Sequence, residues 1–131
     1  MKNLDKLSNL KRLNISKNKL ESAGFLQNLS MLEKLNLAGN SLKSIDFLNN
    51  LKNLKEIEGG FSQVKDISLL RNCLKLTSIH FEDIKTKVVT GLESLIDLPD
   101  LKRVFLDKKA FGKIAIDNFA KKRPEVNINP Y

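Results

Sequence analysis

A period of 22 residues runs through this 131-residue chain and constrains its fold more than any other property. From Leu10 the chain reads LKRLNISKNKLESAGFLQNLSM, and LEKLNLAGNSLKSIDFLNNLKN begins 22 residues later at Leu32. Leu10, Leu32, Leu54 and Leu76 share one register, as do Leu13, Leu35, Ile57 and Ile79, and also Ile15, Leu37, Gly59 and Phe81. The second half of each unit keeps the same phase: Phe25 with Phe47 and Leu69, Leu26 with Leu48 and Leu70, Leu29 with Leu51 and Cys73. Because the whole unit recurs, each is one supersecondary module that cannot bury its apolar side alone and must stack on its neighbours.

The phase slips by three residues at Glu82 to Lys87, which a loop insertion explains, and Val89, Leu92, Leu95, Leu98, Leu101, Val104 and Leu106 resume it. A further unit is expected from Val104 and Leu106 to Val126 and Ile128, again 22 residues on. The closing segment FGKIAIDNFAKKRPEVNINPY reads as one helix and a last short strand, the helix ended by Lys121, Lys122, Arg123 and Pro124. At the other end Leu4 and Leu7 take the positions of Leu26 and Leu29, so the first strand has no obvious partner before it. The reading is one domain over 1–131: a partial unit at 1–9, repeats over 10–106 with the insertion near 82–87, and a closing helix and strand over 107–131.

Within each L-x-x-L-x-L stretch the alternation is that of a half-buried strand, with Leu13 and Ile15 inward and Arg12, Asn14 and Ser16 outward. In SAGFLQNLSM and SIDFLNNLKN the apolar residues recur at three- and four-residue spacing, which favours a turn or two of helix. LKRLNISKNKL and LEKLNLAGNSL fit the pattern L-x-x-L-x-L-x-x-N-x-L, and on these segments the chain resembles the leucine-rich repeat family, in its 22-residue subclass of phosphatase-regulator-like and internalin-like repeats. The resemblance covers almost the whole chain; it departs from the pattern at EIEGGFSQV, where Gly59 and Ser62 replace a Leu and an Asn, and at HFEDI. It implies an α/β right-handed solenoid with short parallel strands on a concave face and helical turns on a convex face. It further implies that Asn18 and Asn40 point inward and bond to loop backbone, and that function resides in binding a protein partner.

No catalytic constellation accompanies this pattern. His80 is the only histidine and Cys73 the only cysteine, the latter in the register of Leu29 and Leu51 and therefore a small buried hydrophobe. Without a second His or Cys no metal-binding spacing exists, so neither metal nor cofactor is expected. Glu56 and Glu58, with Glu82 and the adjacent Asp83, share the concave face by strand alternation, where a hydrolase pair or divalent cation site competes with an acidic patch for a basic partner. The absence of a phosphate loop, of G-x-S-x-G and of a nucleophile favours the patch. The pair Gly59–Gly60 reads as a flattened strand.

Outward strand positions form three rows: Arg12, Lys34, Glu56, Ser78 and Arg103; Asn14, Asn36, Glu58, His80 and Phe105; Ser16, Ala38, Gly60, Glu82 and Asp107. The expected partner-binding residues are Arg12, Lys34, Glu56, Glu58, His80, Glu82, Phe105 and Asp107, with basic groups towards the first units, acidic groups towards the middle and Phe105 as an aromatic anchor. Phe61 is a second aromatic whose placement, face or core, the sequence leaves open. The net charge of +8 sustains an alternative, a nucleic-acid-binding solenoid acting through Arg12, Lys34, Lys108, Lys109, Lys113 and the Lys121 to Arg123 run. A structural segment of a longer solenoid, or a dimer joined through the Leu4 and Leu7 end, is the third reading. A lone cysteine, no secretory signal and no apolar run of bilayer length lead to the expectation of a cytoplasmic setting without membrane insertion.

Overall fold

The computed structural model describes residues 3–131. Six strands, β1 (Arg12–Asn14), β2 (Lys34–Leu37), β3 (Glu56–Gly59), β4 (Ser78–His80), β5 (Arg103–Leu106) and β6 (Asn127–Pro130), form one parallel sheet in chain order. Arg12 lies opposite Lys34, Lys34 opposite Glu56 and Glu56 opposite Ser78, so the period in the sequence is the strand register of the sheet. The α/β solenoid implied by the repeat is the fold observed.

The return half of each unit is 3-10 helix, at Leu4–Lys6, Gly24–Asn28, Asp46–Asn50, Ser68–Asn72 and Leu92–Leu95. The reason lies in the spacing. Ala23, Leu26, Leu29 and Leu32 are three apart, and each amide of the later three donates to the carbonyl of the one before at 2.9–3.0 Å. A helix of three residues per turn puts such positions on one side, whereas an α-helix would rotate them away. Ile45, Leu48, Leu51 and Leu54 repeat the chain of bonds, as do Ile67, Leu70, Cys73 and Leu76. All twelve of these residues are buried, and with Leu35, Ile57, Ile79 and Val104 of the strands they make one continuous core.

Asn40 is buried and ties two units together. Its carbonyl oxygen accepts from the amides of Asn18 and Leu20, and its amide donates to the carbonyls of Ile15 and Leu37 at 2.9 Å each. Asn18 has the same local role but lies exposed in the first complete unit, where its amide reaches only the carbonyls of Ile15 and Ser16. In the third unit the shorter Ser62 replaces the asparagine and donates to the Asn40 carbonyl at 2.9 Å.

Gly59 closes β3 with φ +69° and Gly60 follows with φ +83°. This left-handed pair, open to glycine without strain, turns the chain so that Phe61 enters the core where the repeat would place a leucine. Phe61 is fully buried and its ring centre stands 4.7 Å from that of Phe81, which in turn stands 5.0 Å from Phe111. The open question over Phe61 is thereby decided for the core.

From β4 to β5 the step is 25 residues, Ser78 opposite Arg103, three more than the regular unit. The additional chain runs through the segment after Phe81 and is tied to the preceding unit, Lys85 donating to the Ser62 carbonyl and Asp66 bridging Thr90.

The last unit departs from the sequence reading. Val104 pairs with Ile128 and Leu106 with Pro130, a step of 24 residues, so Val126 and Ile128 are not the counterparts of Val104 and Leu106. The closing element is also two helices, α1 (Lys108–Phe111) and α2 (Lys113–Lys122), separated by Gly112 at φ +79°. A ten-residue α-helix consumes more chain than a five-residue 3-10 turn, so the step lengthens and Val126, just before β6, joins Phe119 among the buried core residues. Arg123, just after α2, is half-buried and its guanidinium donates to the carbonyls of Ile96 and Leu98. The opposite end of the core is open: Leu10, Leu13 and Leu20 are only partly buried, and Leu7 is exposed.

Candidate functional site

Strand alternation puts every second side chain of the six strands on the concave face, and parallel register lines them into rows across the sheet. One row is Arg12, Lys34, Glu56, Ser78, Arg103 and Asn127; the next is Asn14, Asn36, Glu58, His80, Phe105 and Asn129. The members of these rows on β1 to β4, with Phe105 of β5, line an open groove of about 510 Å³. Of the eight residues expected to bind a partner, Arg12, Lys34, Glu56, Glu58, His80 and Phe105 line this groove. Glu82 and Asp107 sit at its margin, in the turns that leave β4 and β5.

The two ends of the groove differ in chemistry. At the β1 to β3 end Lys34 pairs with Glu56 at 3.2 Å, so that acid is neutralised by its neighbour. Towards β3, β4 and β5 carboxylates gather instead. Glu58 Oε2 accepts from the Asn36 amide at 3.1 Å, and Glu82 Oε1 lies 3.6 Å from His80 Nε2. One donor atom each of Glu58, His80 and Glu82 falls within 4.8 Å of the other two, a set of groups able to converge on a cation. The sequence places Glu58 and Glu82 on one face; the structure brings His80 into the same group with them, β3 contributing Glu58, β4 His80 and the turn after it Glu82.

Aromatic groups border the same end. The rings of His80 and Phe105 are 4.9 Å apart and tilted, and Tyr131 meets His80 edge-on at 6.4 Å. Phe105 is half-buried, less open than a free anchor but still part of the groove wall. Tyr131 was not expected from sequence. The signal that could have found it is the 24-residue step of the last unit: once Phe105 faces Asn129, Tyr131 falls beside Asp107. Partial burial pushes the Tyr131 phenol up to about 12, with the charges of Asp107, Glu82 and Asp83 adding to the effect.

Asp107 has a further duty. Its carboxylate accepts from the amides of Lys109 and Ala110 at 2.8 and 3.3 Å and so caps α1. Among the cations of the nucleic-acid alternative, Lys34 is held by Glu56, Lys113 by Asp117, and Arg123 by Glu125 and two carbonyls, while Arg12, Lys108, Lys109, Lys121 and Lys122 are exposed. Cys73 is fully buried, and loss of hydration pushes its thiol up to about 11, as befits a core residue. No helix among the described residues is long and apolar enough to cross a membrane.

Solved structures provide the comparison. An internalin (inlF) of Listeria monocytogenes superposes with a TM-score of 0.76 at 22% identity, over 95% of this chain and 36% of that one. An internalin C2 of the same organism matches with a TM-score of 0.59 at 20% identity, over 98% of this chain and 64% of that one. A leucine-rich repeat protein of Leptospira interrogans matches with a TM-score of 0.62 at 19% identity, over 95% of this chain and 38% of that one. This chain therefore spans between about a third and just under two thirds of the length of these proteins. No family profile and no curated protein matches the sequence.

Proposed function

The chain has the leucine-rich-repeat fold of the internalins, and from that premise we propose that it is a non-enzymatic interaction module that docks a partner protein on its concave sheet face. The observation that carries this reading is the groove over β1 to β5, in which charged, amide and aromatic side chains face outward from a rigid floor of apolar residues. A face of this kind offers fixed hydrogen-bonding groups and a half-buried aromatic at little ordering cost. The convex face, by contrast, is made of short 3-10 turns whose central leucines, Leu26, Leu48 and Leu70, turn into the core. A cytoplasmic setting belongs to this reading and rests on the single, buried cysteine.

The test is partner capture. Phe105→Ala combined with Glu58→Lys should abolish it while leaving the circular dichroism spectrum and melting temperature of the protein unchanged. A photo-crosslinking residue at Asn36, on the groove floor, should label the partner, and one at the exposed convex residue Asn49 should not. Equal labelling from both faces, together with undiminished capture by the double variant, would sink the proposal.

A further inference from the structure

We propose that the acidic, aromatic end of the groove is a subsite for an arginine side chain of the partner protein; this builds on the concave-face reading and specifies the chemistry it selects. The chain carries 23 Lys and Arg against 15 Asp and Glu, so a free carboxylate is the scarcer charge on this surface. Five carboxylates are taken up by cations of the chain itself: Lys43 holds Glu21, Lys55 holds Glu33, Lys34 holds Glu56, Lys113 holds Asp117 and Arg123 holds Glu125. Glu58, Glu82 and Asp107 at the groove end are among the acids without a Lys or Arg partner among the described residues, and Glu58 and Glu82 with His80 are the group there whose donor atoms converge within 4.8 Å. Glu58 and Glu82, brought together across two units with Asp107 in the next turn, give this end of the groove a local negative potential that an incoming cation meets favourably.

Geometry selects the kind of cation. The side chains of His80, Phe105 and Tyr131 set rings beside the carboxylates, with ring centres 4.9 and 6.4 Å from His80. A guanidinium is planar and weakly hydrated, stacks on such rings and forks onto carboxylates through paired N–H groups, whereas a lysine ammonium keeps its water and has no flat face. The receiving groups are already positioned: the Asn36 amide holds Glu58, and Asp107 is held by the amides it caps. Little ordering is left to accompany binding, which favours a specific subsite over diffuse attraction.

Fluorescence anisotropy with the full chain tests the assignment, using three labelled peptides of one length built on glycine and serine and carrying arginine, its neutral isostere citrulline, or lysine. All titrations contain excess EDTA. The arginine peptide should bind about tenfold more tightly than the citrulline peptide and more tightly than the lysine one. Glu58→Gln with Glu82→Gln should remove that preference, and Phe105→Ala should weaken the arginine peptide several-fold. Glu21→Gln with Glu33→Gln changes net charge equally and should leave binding unaltered. Equal affinity for the arginine and citrulline peptides overturns the inference, as does an equal loss in the two glutamine pairs. A charge-independent affinity that still falls with Phe105→Ala removes the arginine subsite and leaves the concave-face reading standing. Peptide binding insensitive to every groove substitution counts against both.

Discussion

The side-chain amide of Asn40 bonds four backbone groups in two adjacent units, of which the Ile15 carbonyl is also reached by the Asn18 amide. Asn40→Leu keeps the volume but removes the side-chain partner of the Asn18 and Leu20 amides and the Leu37 carbonyl, and leaving buried polar groups unsatisfied costs about 1–3 kcal/mol. Urea denaturation should show a midpoint lowered accordingly; an unchanged midpoint would contradict the role. Tyr131, the only tyrosine, offers a direct reading of the acidic groove end. Its phenol, near 10 in an unfolded chain, is raised to about 12 in the fold, so the unfolded chain releases the proton first. Stability from this group is therefore intact below pH of about 10 and is lost as pH rises towards about 12. Absorbance at 295 nm (~295 nm being the phenolate band) should titrate well above pH 10 on the ordinary scale. Asp107→Asn, which retains a capping side chain, should lower that midpoint without abolishing the shift, since burial is the larger cause.

At the level of elements, the informative departures are those that keep the stack closed where the repeat pattern fails. A Cβ on Gly59 would come within 2.4 Å of the Ala38 Cα, backbone of the neighbouring unit, and its φ of +69° already strains any other residue. Gly59→Ala should therefore destabilise by at least about 1–3 kcal/mol, whereas Gly24→Ala, with nothing within 4 Å of the added methyl, should stay within about 0.5 kcal/mol of the parent. Thermal melts of the two variants side by side provide the check. Removal of the ring from Phe81, which contacts Phe61 on one side and Phe111 on the other, opens the same column; Phe81→Ala should cost about 3–5 kcal/mol. The 3-10 turns were legible in retrospect from the three-residue spacing of Ala23, Leu26, Leu29 and Leu32. Apolar spacings of three and four had pointed only to helix of some kind, because the tighter helix is distinguished by which carbonyl each amide finds.

Across the whole molecule the contacts run from unit to neighbouring unit, and the two ends are unlike. The C-terminal end is closed by Phe111, Phe119 and Val126, all buried, and by Arg123 on the carbonyls of the preceding unit. The N-terminal end leaves Leu7 exposed and Leu10 and Leu13 partly so. In an array stabilised by nearest neighbours, end units govern solubility and cooperativity. A chain ended after Asp107 should consequently lose its single cooperative melting transition and aggregate at concentrations where the parent remains monodisperse by light scattering. Retention of the parent's transition would show that α1, α2 and β6 are dispensable to the core.

The sequence by itself determined the repeat, the parallel order of the strands and two of the three outward rows, because a fixed period combined with strand alternation leaves one way to bury every second residue; the third row falls in the turns beyond the strands, where Gly60 is buried. The groove residues Arg12, Lys34, Glu56, Glu58, His80 and Phe105 were legible for that reason. Only the tertiary structure decided the last register, since α2 and its 24-residue step bring Tyr131 to the groove end where a 22-residue step would not. It also decided which carboxylates are held by lysine or arginine and which are not. Pairing depends on distances between side chains of different units, which periodicity along the chain does not encode.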